Sequence, residues 1–104
     1  MSIGAPQYGG FNAQTAAGTI TLAAGDDAYQ AIDPGGSARN VDLPDLGTSG
    51  RGMVVVDNTA DAAEVITLRD VANSNATVGT PAQNESAVCH FSEGTWICVV
   101  GAAS

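Results

Sequence analysis

From Gly18 onward, short apolar stretches recur about every ten residues, many alternating with polar residues and each closed by turn chemistry. Thr19-Ile20-Thr21-Leu22 alternates strictly and stops at Gly25-Asp26-Asp27. Tyr29–Ile32 ends at Asp33-Pro34-Gly35-Gly36, where proline presets φ and glycine accepts a positive φ. Val41 and Leu43 alternate with Asn40 and Asp42 before Pro44. Met53–Val56 is an unbroken apolar run between Gly50-Arg51-Gly52 and Asp57-Asn58, which reads as a strand covered on both faces. Val65–Arg69, Ala76–Val78, Ala87–Phe91 and Trp96–Val100 complete the set. No stretch carries the period of an amphipathic helix. The pattern predicts an all-β fold over residues 19–104, a jelly-roll-like sandwich or barrel of about eight strands. Thr19–Leu22 and Val65–Leu68 look alike, but four residues do not make a repeat.

Residues 1–18 read differently. They carry no charge and four glycines, with Ile3, Tyr8 and Phe11 as the sizeable side chains and neither periodicity. The expectation is an extended N-terminal arm outside the core. Such an arm either frays or orders against a neighbouring subunit through those three anchors. A solvated tail is normally charged, which favours docking.

Composition limits what this chain can do alone. At 104 residues it is one domain, yet Leu, Ile, Val and Phe together number only 21 against 18 Ala and 13 Gly. So lean a core points to stabilisation by subunit partners. The net charge is −8, there is no lysine, and the only cations are Arg39, Arg51 and Arg69. Nucleic acid and anionic membranes both require a cationic field, so neither is an expected partner. No apolar run approaches the roughly 20 residues that cross a bilayer as a helix. The N-terminus lacks the basic and apolar regions of a signal peptide, so synthesis in the cytoplasm is expected.

The last hairpin permits a geometric expectation. With Glu93-Gly94 as a two-residue loop, Ser92 opposes Thr95, Phe91 opposes Trp96, His90 opposes Ile97 and Cys89 opposes Cys98. Phe91/Trp96 and Cys89/Cys98 are then the close, non-hydrogen-bonded pairs on one face. That spacing admits a disulfide, and equally two buried thiols. His90 points to the opposite face from Cys89, so the two form no nucleophile–base pair and no shared metal site. Asp26-Asp27 and Asp57–Asp61 read as turn-capping carboxylates rather than a calcium loop. The three arginines read as exposed partners of carboxylates, with reach across a subunit interface as the alternative. Phe91 and Trp96 read as core rather than as a sugar platform. Asn75-Ala76-Thr77 and Asn84-Glu85-Ser86 match the glycosylation pattern by chance. No catalytic residue, cofactor site or metal site is expected.

Tyr29 to Pro44 (YQAIDPGGSARNVDLP), a glycine-flanked aliphatic strand, Val56-Asp57-Asn58, Val65-Ile66-Thr67-Leu68 and Glu93-Gly94-Thr95-Trp96 together form a recognisable syntax. Over residues 19–100 it resembles the small β-structured proteins of tailed-phage structural cassettes, especially capsid decoration (cement) proteins and related head or tail-fibre modules. The resemblance implies a virion component on the capsid exterior, a homotrimer bound to the major capsid protein. The alternative is a carbohydrate- or receptor-binding module of a tail fibre or spike, which an exposed Trp96 would support.

Overall fold

A computed structural model describes residues 10–102, which form nine strands in two sheets. The five-stranded sheet contains β1 (Phe11–Thr15), β3 (Tyr29–Asp33), β5 (Gly52–Asn58), β8 (Glu85–Ser92) and β9 (Thr95–Ala102), in the order β1-β3-β5-β8-β9. The four-stranded sheet contains β2 (Ile20–Thr21), β4 (Arg39–Leu43), β6 (Ile66–Asp70) and β7 (Ala76–Gly79), in the order β2-β4-β6-β7. All eight segments marked by alternation and turn chemistry contain strands. The fold is an all-β sandwich.

The winding is that of a coil. Successive strands alternate between the sheets, so β1, β3 and β5 pair in parallel and β2, β4 and β6 pair in parallel opposite them. Only β7 and the β8–β9 hairpin pair antiparallel. The jelly-roll-like winding expected from the sequence, which pairs antiparallel strands, therefore gives way to three turns of a short parallel coil closed by a hairpin. Alternation cannot distinguish the two, because side chains alternate with the same period in either ladder. The coil also separates the two look-alike segments. Ile20 stacks through Val41 onto Leu68, two residues beyond the Ile66 that similarity would suggest.

The expected arm boundary at residue 18 also moves. Phe11–Thr15 is β1, and Ala16 is buried with its N–H donating to the Asp33 carbonyl at 2.7 Å. Polar side chains hide this strand from a hydrophobicity pattern. The Asn12 and Gln14 amides donate to Gln30 Oε1 at 3.0 and 3.3 Å, and buried Gln30 donates onward to the Asp27 carbonyl at 2.8 Å. Ile3 and Tyr8 lie outside the described residues. The unbroken run in β5 is likewise covered on one face only: Val54 and Val56 are buried, Val55 is half-buried and Met53 is exposed.

Between the sheets, Ile32, Val54, Val56 and Phe91 pack against Val41, Leu43, Ile66 and Leu68. Each such side chain contributes about 1.5–3 kcal/mol when fully buried. Two buried polar residues tie the loops down. The Asn58 amide donates to the carbonyls of Glu64 and Pro81 and accepts from the Ala60 N–H. Asp70 caps the 3-10 turn Val71–Asn73 through the Ala72 N–H and also accepts from Asn73, from the Thr95 hydroxyl and from the Trp96 N–H. It thereby joins the end of β6 to the start of β9 in the opposite sheet.

The hairpin register is the expected one throughout. Ser92/Thr95, Phe91/Trp96, His90/Ile97 and Cys89/Cys98 are opposed, and Glu93 and Gly94 both have positive φ, as a type I′ turn requires. Cys89 and Cys98 are joined in a disulfide with Cα atoms 4.0 Å apart, which selects the bridge from the two alternatives. The Phe91 and Trp96 rings meet edge to face, with centroids 5.4 Å apart.

Candidate interaction surface

Alternation along the five-stranded sheet sends one set of side chains into the core and the other outward, and no element covers the outer set among the described residues. Register places Phe11, Tyr29, Val55, Val88 and Val99 in one outward row across all five strands. Met53, His90 and Ile97 form a second row across β5, β8 and β9. Val99 is 71% exposed, Phe11 63% and Met53 60%, with Val88, Ile97 and Tyr29 less so. Rows about 6.6 Å apart on strands about 4.8 Å apart give a largely apolar patch of about 250 Å².

The neighbouring outward row holds two polar side chains, Asp57 and Ser86, which bond within the sheet. It contains Ala13, Ala31, Asp57, Ser86 and Gly101. The Tyr29 hydroxyl donates to Asp57 Oδ2 at 2.6 Å, and the Ser86 hydroxyl donates to Asp57 Oδ1. The hydrogen bond to Asp57 raises the Tyr29 pKa above its ordinary value near 10, and burial and the Asp57 charge push the same way. Asp57 is thus spent on neighbours within the sheet. The Phe11 and Tyr29 rings lie 5.5 Å apart, tilted by 41°.

Arg39 and Arg69 lie on strands of the other sheet, and Arg51 immediately precedes β5. Arg69 on β6 holds Asp42 on β4 through two donors, at 2.6 and 2.9 Å, and this contact raises the guanidinium pKa. Arg39 donates to the Pro34 carbonyl and Arg51 to the Gly50 carbonyl. Three carboxylates, Asp33, Asp61 and Glu64, bring one oxygen each to within 4.8 Å of one another, the arrangement nearest to a cation site among the described residues. Asp33 and Glu64 also accept from the N–H groups of Gly35 and Gly36, so their oxygens cap a turn. Asp26 caps its own turn through the Ala23 N–H. A cleft of about 220 Å³ is lined by Leu22, Leu46, Arg51, Val54 and Trp96, among others.

Trp96 is 4% exposed and its indole N–H donates to the Pro44 carbonyl at 2.8 Å, so it is core and offers no platform. Of the residues singled out by sequence, Phe11 joins the outward face, the cysteines lie behind it in the core, and the arginines do not converge. Sequence reasoning missed Val88, Ile97 and Val99. Their signal is present, because β8 and β9 carry apolar residues at both parities and one sheet face must therefore expose some of them. Comparison with protein-family models, characterised proteins and solved structures finds no match for this chain.

Proposed function

We propose that the protein is a non-enzymatic structural subunit that binds the outer surface of an assembled phage capsid, with the major capsid protein as its partner. The outward apolar face of the five-stranded sheet is the observation that carries this reading. A patch of about 250 Å² lies well below the roughly 800 Å² per partner of a standard stable complex. One copy alone would bind weakly. A lattice that presents many identical sites turns such contacts into stable occupancy through multivalency, and shell proteins offer that geometry. The resemblance to decoration proteins supplies the identity of the shell and the expectation of three copies.

The test is co-sedimentation with assembled shells. Met53→Glu together with Val88→Glu places two carboxylates on the face and should lower occupancy at least tenfold while the far-UV spectrum stays that of the parent. Unchanged occupancy removes the face from the proposal, and no sedimentation of the parent protein with shells removes the function. The exposed Phe11–Tyr29 ring pair favours a second reading, a carbohydrate-binding module. Binding to a glycan array that is lost in Tyr29→Ala would select it.

A further inference from the structure

The two sheets have four edge strands, and they are not alike. β2, β7 and β1 are two, four and five residues long, whereas β9 runs for eight, Thr95–Ala102. Natural edges are guarded by shortness, lysine, proline, bulges or inward-pointing charge. β9 (TWICVVGA) has none of these, and β8 is its sole strand partner among the described residues. Its backbone groups divide by parity. Thr95, Ile97, Val99 and Gly101 face β8, while Trp96, Cys98, Val100 and Ala102 face the open side. The Trp96 N–H is taken by Asp70, and among the described residues the groups of Cys98, Val100 and Ala102 have no partner on that side.

We propose that this half of β9 is a strand-pairing site for a second copy of the same chain, antiparallel and centred on Val100. Val100 then exchanges hydrogen bonds with Val100 of the other copy, and Cys98 with Ala102, across a two-fold axis. Isologous pairing of this kind closes on itself and leaves no new edge at that side.

Electrostatics permits a second copy at this edge. The chain carries −8, so most approaches between copies are repulsive. Neither β9 nor β7 (ATVG), the sheet edge on the same side of the sandwich, contains a charged residue. The area sets the strength. About 17 Å of strand, Cys98–Ala102, across a molecule whose shortest dimension is 22 Å covers about 370 Å² on each copy. That total falls among the smaller, transient interfaces, so the pair should dissociate on dilution. The proposal stands apart from the shell reading, since it concerns the strand edge and not the face.

The experiment combines light scattering over a dilution series with amide hydrogen exchange on the full chain. The expected mass at high protein concentration is an even multiple of 10.3 kDa. The amides of Cys98, Val100 and Ala102 should exchange at least tenfold more slowly in the concentrated than in the dilute sample. Val100→Pro removes an edge-directed N–H, and Val99→Lys adds the missing edge guard; each should raise the dissociation constant at least tenfold. Met53→Glu, in the middle of the face, should leave pairing unchanged while weakening the shell contact. If Val100→Pro fails to fold, Val99→Lys and the exchange measurement carry the test. A monomer or trimer at every concentration, or exchange at those three amides that ignores concentration, overturns the proposal. Dissociation by Met53→Glu overturns it in favour of face-to-face packing.

Discussion

Asp70 is 1% exposed, and its two carboxylate oxygens accept from Ala72, Asn73, Thr95 and Trp96. Its value lies in what its loss leaves behind, since two of those donors are the backbone N–H groups of Ala72 and Trp96. An unmet buried donor costs about 1–3 kcal/mol. Asp70→Ala should therefore lose about 3 kcal/mol in urea unfolding, and a change below about 1 kcal/mol would show that water replaces the carboxylate. Tyr29 is the corresponding case on the outer face. Its pKa is raised in the folded state, so folded protein holds this proton more tightly than the unfolded chain. That contribution is fully present below pH 10 and is lost as pH climbs through the raised value. Stability measured by urea midpoint should fall above pH 10, and Tyr29→Phe should flatten that fall.

At the scale of elements, the β8–β9 hairpin was the most legible part of the chain. A two-residue loop with glycine in its second place sets the register of everything that follows, so the opposed cysteines and the Phe91/Trp96 pair could be derived from spacing. Whether the cysteines bond is a separate matter, because spacing permits both states. The bridge closes a short loop, for which chain entropy gives about 2–3 kcal/mol. Reduction, or the double change Cys89→Ala and Cys98→Ala, should cost about that much in denaturant unfolding. No effect of reductant on the midpoint would mean that purified protein carries free thiols. β1 was the least legible element. Asn12 and Gln14 point inward to Gln30, and a polar interior side leaves no hydrophobic trace in the sequence.

At the scale of the whole molecule, acidity and apolar surface are segregated. The five-stranded sheet keeps Asp57 engaged by Tyr29 and Ser86, and the outward rows from Phe11 to Val99 and from Met53 to Ile97 carry no carboxylate. The other carboxylates largely cap turns or pair with arginine. This distribution keeps an acidic chain dispersed while leaving one face and one edge open to contact. Since the repulsion between copies is screened by salt, β9 pairing should tighten when the dilution series is repeated at higher ionic strength. A pairing that weakens with salt would place a charged contact at the interface instead.

Strand positions, turn sites and the hairpin register were decided by the sequence itself, because each depends on residues within a few positions of one another: Pro34-Gly35-Gly36, Glu93-Gly94, and alternation within single strands. Tertiary structure alone decided that β1, β3 and β5 run parallel, that Ile20 stacks over Leu68, and that Val88 and Val99 remain outside. Those outcomes follow from which distant strands pair and which face of each sheet meets the other, and an alternating pattern is equally compatible with either direction of pairing and either face.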